Sequence, residues 1–333
     1  MKMNNQCAGQ EAALALPWNK EASLGRRKKR NAALAWLREA VAACGAFEWV
    51  ALAYLGLTSA LIAVFHRHLA RAPLFFALQF GVAALLLVLS WSAARWPSKA
   101  LVAVRHWYPQ AFFLFCFEEL HYLVHLIFPG WFDRWLIAFD YRLAGMHPTV
   151  WFEQFANPAL NDFMQMAYIS YFFYLTILGG LLYANRERRA FWAVMTSTAV
   201  AYTIGYVIAP LLPVESPYHA LAALQRVELT GGFFTSLIGF IESFGRVHGA
   251  AFPSAHVSGS LVALLGAWRY RRWLFWVFLP FFLGMMVATV YGRYHYIADV
   301  LGGLVVGGIG FVAGHWLMRC EGAVPPAEVR REA

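Results

Sequence analysis

Charge is what this sequence has least of. Asp, Glu, Lys and Arg make up only 14% of the 333 residues, against 60% hydrophobic residues and a mean hydropathy of +0.52. A soluble domain of that size has no use for so much apolar surface, so a soluble globular protein is excluded. Cysteine is scarce too. Cys7, Cys44, Cys116 and Cys320 are scattered, none in a long outer loop and none in a CxxC spacing. That argues against a disulfide framework and against a cysteine metal site. Alternating segments of roughly ten residues, the mark of a membrane barrel, are absent. So are repeats, low-complexity tracts and any polar stretch large enough to fold alone. Residues 1–46 are polar, with the charged run RRKKR (26–30), and do not read as a signal peptide.

Long apolar runs are what the sequence has instead. A bilayer core about 30 Å thick takes roughly 20 apolar residues per helix. Eight segments qualify: 47–66, 74–94, 109–128, 163–184, 191–212, 254–268, 272–291 and 296–318. The fold class that follows is an all-α integral membrane protein of about eight transmembrane helices. Residues 1–46 read as a cytoplasmic basic tail, 47–108 as carrying two of these helices, 109–318 as carrying six, and 319–333 as a second cytoplasmic tail. NAALAWLREAVAACG (31–45) has the composition of an interfacial helix, although a disordered tail with a topology anchor is the simpler reading.

The net charge of +9 is not a nucleic-acid signature, because Lys and Arg fall at the ends of the predicted spans. The short turns NRERR (185–189) and RYRRW (269–273) place those ends on the cytoplasmic side by the positive-inside rule. Both termini are then cytoplasmic, and two long loops face the periplasm, exterior or lumen. The first loop, about 129–162, mixes aromatics with alternating charge, as interfacial helices do. The second, about 213–253, is the other place where functional residues concentrate. In the last span, Gly303-x-x-x-Gly307 and Gly310-x-x-x-Gly314 allow close helix approach, within one chain more readily than across a dimer.

Two short stretches carry chemistry. In YGRYHYIADVLGG (291–303), His295 and Asp299 are four apart, which on a helix puts them on one face. The carboxylate fixes the tautomer and leaves a lone pair on the far ring nitrogen. In FPSAHVSGS (252–260), Pro253 suits a helix start, with Ser254 and His256 in the first turn. Free N–H groups and the helix dipole favour an anion there, and Ser254 adds a hydroxyl donor. The 38 residues 257–294 make two crossings of about 19 each. Topology therefore returns His295 and Asp299 to the face that His256 left. That arrangement suits phosphoryl transfer. His295 attacks phosphorus, His256 protonates the leaving oxygen, and no metal or cofactor is required.

PSAH (253–256) followed by HYIAD (295–299) resembles the second and third motifs, PSGH and SRxxxxxHxxxD, of the type 2 phosphatidic acid phosphatase superfamily. The HYxxDV form looks more like the branch of inositol phosphorylceramide and sphingomyelin synthases. The resemblance covers about 109–318. It implies His295 as nucleophile, Asp299 as its partner, His256 as the second-motif histidine and Ser254 as a phosphate ligand. It also implies a phospholipid or lipid phosphate substrate, with water or a hydroxyl as acceptor. The first motif, KxxxxxxRP, has no counterpart, since GYVIAPLLPVESPYH (205–219) lacks Lys and Arg. Thr289 stands where the third-motif Arg belongs. Arg293, Arg246 and His248 are the candidates to replace those cations. Their loss favours a substrate carrying less charge than a phosphomonoester, which points to the transferase branch.

Weaker candidates accompany these. Glu118, His121 and His125 could ligate a metal, but polar groups bracing a bundle, Glu119 included, are the commoner case. Asp140, Arg142 and His147 could meet a headgroup or pair with one another. AYISYFFY (167–174) reads as core packing. Two rival readings remain: a membrane metalloenzyme using His256, His295 and Asp299 as a two-His, one-carboxylate set, and a transporter or scaffold without chemistry.

Overall fold

A chain this apolar folds in lipid only by satisfying every backbone N–H and C=O within its own helices. The computed structural model, which describes residues 31–244 and 248–321, does so. Helix α1 spans 31–42, the stretch with the composition of an interfacial helix. It is followed by α2 (Ala46–Phe65), α3 (Ala72–Arg95), α4 (Lys99–Leu123), α5 (Asp133–Ala144), α6 (Pro148–Trp151), α7 (Pro158–Ile169), α8 (Tyr171–Ala184) and α9 (Arg188–Ile208). Then come α10 (Pro217–Ala220), α11 (Phe233–Phe244), α12 (Ala255–Tyr270), α13 (Arg272–Tyr291) and α14 (Ile297–Cys320). The basic run 26–30, Arg246 and the stretch from 322 onward lie outside the described residues.

Among the described residues, six helices are long and apolar enough to cross a membrane: Ala46–His68, Ala72–Arg95, Pro158–Ala184, Arg188–Ile208, Arg272–Tyr291 and Ile297–Cys320. Two of the eight expected spans differ for distinct reasons. Helix α4 has the length, but Lys99, Arg105, Glu118 and Glu119 along it lower its hydropathy. Helix α12 has only 16 residues, about 24 Å at 1.5 Å per residue. It is surrounded by α8, α9, α13 and α14, so protein rather than lipid covers it. Helix α4 also runs unbroken through residue 108, where the sequence placed a division. The chain breaks instead between Arg95 and Lys99, with Ser98 capping α4 through Leu101 N–H at 3.2 Å. Apolar side chains on the outer faces, such as Phe80, Trp276, Val305 and Val312, are exposed, as a lipid-facing surface requires.

Close packing of α14 organises the bundle. A Cβ on Gly303 would lie 2.7 Å from the Ser254 carbonyl oxygen, and one on Gly307 2.7 Å from that of Ser258, both on α12 or its cap. One on Gly310 would sit 2.6 Å from Ala201 Cβ, and one on Gly314 2.4 Å from Ser197 Cα, both on α9. The expected intrachain role of these glycines is the one observed.

Helices α2 and α3 are fastened to α4 by buried polar groups. Glu48 accepts from Arg105 at 3.2 Å, Ser90 at 3.2 Å and Tyr108 at 2.9 Å. Arg105 also donates to the Ala43 carbonyl at 2.9 Å. Glu119 accepts from Gln79 at 2.8 Å, and Gln79 donates to Thr58 at 2.7 Å. Bracing is thus what Glu119 does. Replacing Arg105 with Met should destabilise the protein by about 3–5 kcal/mol, because Glu48 is left charged and dry. The double change Arg105→Met with Glu48→Gln should recover most of that loss. Reversible unfolding in mixed detergent reads both, and equal losses in the two variants would refute the pairing.

Candidate active site

The two membrane-face segments expected to meet do meet. Pro253 precedes Ser254, which is the N-cap of α12 and accepts from Val257 N–H at 3.3 Å. That places His256 in the first turn. At the other end of the α12–α13 hairpin, Arg293 adopts a left-handed backbone (φ 64°). The N–H groups of Tyr294 and His295 both donate to the Thr289 carbonyl, at 2.9 and 3.0 Å. Thr289, found where the resemblance calls for a cation, is therefore a buried backbone anchor. The two segments are joined directly by Ser254 N–H donating to the Asp299 carbonyl at 3.0 Å.

Four side chains then line up. Tyr168 Oη lies 3.0 Å from His256 Nε2, His256 Nδ1 lies 3.1 Å from His295 Nε2, and His295 Nδ1 lies 3.2 Å from Asp299 Oδ2. With Asp299 ionised and both imidazoles neutral, one proton assignment satisfies these three contacts. His295 Nδ1–H donates to Asp299, His256 Nδ1–H donates to His295 Nε2, and Tyr168 O–H donates to His256 Nε2. Asp299 Oδ2 also accepts from Tyr296 N–H at 2.8 Å. The imidazole nitrogen with the spare lone pair, His295 Nε2, is thus aimed at His256.

The first outer loop holds this arrangement from outside. Asp140 on α5 accepts from Ile297 N–H at 2.8 Å and Ala298 N–H at 3.0 Å, two N–H groups at the start of α14 that no helical carbonyl reaches. Two turns earlier on the same face of α5, Asp133 accepts from Tyr296 Oη at 2.8 Å and from Glu215 N–H at 2.9 Å. Asp140 therefore caps a helix, with His147 as an electrostatic neighbour. The seven-residue spacing of Asp133 and Asp140 puts both on one face of α5, a signal that was available in the sequence. Tyr168 and Tyr171 were also missed. Their three-residue spacing presents both rings to His256, with centroids at 5.2 and 4.5 Å.

Not every expected residue joins the pair. Arg293 is buried and committed elsewhere, donating to Glu153 at 2.7 Å and to the Val227 carbonyl at 2.6 Å. His248 and His219 approach each other with ring centroids 4.6 Å apart. A cavity of about 770 Å³ connects these features. Its described lining includes His256 and His295, Tyr168 and Tyr171, and Glu215, Ser216, His219 and His248, but no Lys or Arg. The segment matched to the missing first motif does reach the site, carrying Glu215, Ser216 and His219. Asp299 sits on the far side of His295 from His256, so these three do not converge on one ion. Among the described residues, the group close enough to share one is Glu215, His219 and His248, whose ligand atoms all lie within 4.8 Å of one another. His121 and His125 are exposed, and His125 Nδ1 contacts its own loop at the Phe128 carbonyl, 3.0 Å away.

The helices and this histidine–histidine–carboxylate line define an all-α integral membrane protein with a buried site at one end of a helical hairpin. A sequence model of the PAP2 superfamily matches residues 134–313, and the chain belongs to that superfamily. The match begins in α5 and takes in Asp140, His256, His295 and Asp299. No match was found among curated proteins or among solved structures. Membership supports a phosphatase- or phosphotransferase-type enzyme acting on phosphate esters.

Burial pushes the His295 imidazole down to about 4 from its ordinary 6.5. Between these values the unfolded chain binds a proton that the folded chain does not. The associated stability is complete above about pH 6.5, falls as pH drops, and is gone below about 4. Unfolding free energy measured from pH 7 to 4 should decline by at most about 1.4 kcal/mol per pH unit for this group. His295→Gln should remove that part of the slope; an unchanged slope would show that His295 is not held neutral.

Proposed function

We propose that this protein transfers the phosphoryl or phospho-headgroup unit of a membrane lipid through a phosphohistidine on His295. The observation that carries the reading is the line of contacts Tyr168–His256–His295–Asp299 at 3.0, 3.1 and 3.2 Å. Asp299 holds the His295 proton on Nδ1, so Nε2 attacks phosphorus. The N–P bond forms as the bond to the leaving oxygen breaks. An anionic phosphate entering beside His256 favours its imidazolium, whose Nδ1–H passes to that oxygen while Tyr168 steadies Nε2. Water or an acceptor hydroxyl then attacks the phosphohistidine, and its proton returns to His256. The Ser254 hydroxyl and the N-terminal turn of α12 bind the phosphate oxygens. His248 lines the same cavity and reaches the headgroup.

A lipid substrate is supported by the rest of the cavity. Its wall continues along α4 and α8 through Phe113, Leu114, Phe117, Phe172 and Leu175. Leu114 is 60% exposed, so this wall opens sideways to the acyl region. A described lining without Lys or Arg suits a phosphodiester carrying one negative charge, which supports a transferase of the inositol phosphorylceramide synthase-like branch over a phosphomonoesterase. The basic turns at 185–189 and 269–273 support a site facing the periplasm, exterior or lumen.

The test offers purified protein labelled phospholipids and isoprenyl phosphates, with and without ceramide, diacylglycerol or inositol. His295→Ala should abolish turnover of whichever lipid reacts. His256→Ala should slow it by about 10²–10⁴-fold and let an acid-labile phosphoenzyme form slowly on His295. Turnover surviving in His295→Ala would sink the nucleophile assignment. If no lipid in the panel reacts, the transporter or scaffold reading gains.

A further inference from the structure

The geometry points to a metal site that the expected chemistry did not call for: Glu215, His219 and His248 bind one divalent transition-metal ion, of the zinc class, at the headgroup end of the cavity. Three features carry this. The donor set is two imidazoles and a carboxylate, the combination that suits zinc and leaves a fourth position open. The three ligand atoms already lie within 4.8 Å of one another. Ligands about 2.0–2.1 Å from a tetrahedral ion are about 3.4 Å apart, so loading needs a closure of roughly an ångström.

The backbone also holds the two contributing segments in register. Val214 N–H donates to the Gly249 carbonyl at 3.2 Å, and Ala251 N–H donates to the Val214 carbonyl at 3.1 Å. This isolated parallel bridge holds the segment bearing Glu215 against the one bearing His248, and Gly249 has the positive φ of 95° that turns the chain there. Glu215 and His219 are four apart across the first turn of α10. Asp133 ties the Glu215 backbone to α5 at 2.9 Å. His219 and His248 then face each other, with His248 exposed and the other two half-buried.

The third feature is electrostatic need. The cavity's described lining holds Glu118, Glu215 and Glu242 and no Lys or Arg. An anionic phosphate entering it passes Glu215 and Glu118 as well as the lining histidines. A divalent ion on Glu215 reverses the local sign, in the segment where the resemblance calls for lysine and arginine. His248 is three residues from Ala251, whose backbone lies beside His295. Three residues span at most about 11 Å, so the ion sits within reach of a headgroup whose phosphorus faces His295. That role as countercharge rests on the proposed function; binding of the ion does not.

Full-length protein is stripped with chelator, exchanged into metal-free buffer and titrated with Zn²⁺ alone. Calorimetry gives affinity, and metal analysis after desalting gives stoichiometry. We expect one zinc per chain. His248→Ala, at an exposed position, should weaken binding at least about tenfold, since loss of even an outer partner costs 10–100-fold. His219→Ala with His248→Ala should abolish stoichiometric uptake. Co²⁺ loading should give the visible absorption of a tetrahedral site, absent in His248→Ala. The pair His256→Ala with His295→Ala should still bind one zinc. The proposal is overturned if wild type takes up no stoichiometric zinc, if uptake survives in the His219/His248 double variant, or if it is lost in the His256/His295 double variant. These readouts need no substrate, so failure of the lipid reaction and failure of the metal site are seen separately.

Discussion

The geometry of the histidine pair depends on a backbone contact that only glycine permits. At Gly303 any side chain would run into the Ser254 carbonyl and Val257. Because that space is free, α14 lies against the cap of α12, and Ser254 N–H can reach the Asp299 carbonyl at 3.0 Å. That single bond joins the residue that starts α12 to the residue that orients His295. The glycines further along repeat the approach to α12 and then to α9, so the contact is the first tooth of a longer seam. Small residues do this work in lipid because no hydrophobic force distinguishes helix from acyl chain; only close packing does.

A seam of that kind locates two helices but does not fix their ends. The ends are fixed by carboxylates in the outer loop. Asp140 takes the N–H groups of Ile297 and Ala298, and Asp133 takes the Tyr296 hydroxyl and the Glu215 backbone. Helix α5 thereby couples the start of α14 to the segment bearing Glu215 and His219. On the opposite side, Glu153 accepts from Arg293 and from the Arg226 backbone, which ties the two outer loops together. Buried charges of this sort are costly to desolvate unless each is paired. Here they act as rigid struts around the two histidines rather than as ligands aimed into the cavity.

Sequence periodicity and spacing made a good deal of this legible. Apolar runs gave the all-α membrane class, and the 38 residues from 257 to 294 placed His256 and His295 at one membrane face. What they could not show was direction. Arg293 lies two residues from His295, yet its left-handed backbone turns the guanidinium toward Glu153. Helix α12 was hard to delimit because a helix buried by its neighbours needs no full apolar span. The tyrosines of 167–174 read as core because aromatic spacing is the same whether the face meets leucine or an imidazole. Glu215 and His219 were hidden differently. Judged against a missing lysine and arginine they were merely departures, and only the bridge from Val214 to Ala250 shows what they stand next to.

The 3.1 Å contact between His256 and His295 has a consequence for turnover. In-line attack needs a phosphorus about 3 Å from His295 Nε2 and a leaving oxygen within hydrogen-bond reach of His256 Nδ1. Those nitrogens must then stand roughly 7 Å apart. In the observed arrangement each imidazole satisfies the other, since an unpaired buried polar group would be expensive. His295 cannot yield, because Asp299 and the Thr289 carbonyl hold both its ring and its backbone. His256 can, because beyond His295 its ring is held by Tyr168 and packed against Tyr171, and Tyr168 in turn stacks on Tyr294 at 4.3 Å. On the proposed mechanism, substrate entry exchanges the His256–His295 contact for a phosphate contact and shifts a tyrosine layer, while His295 stays held by Asp299 just before α14.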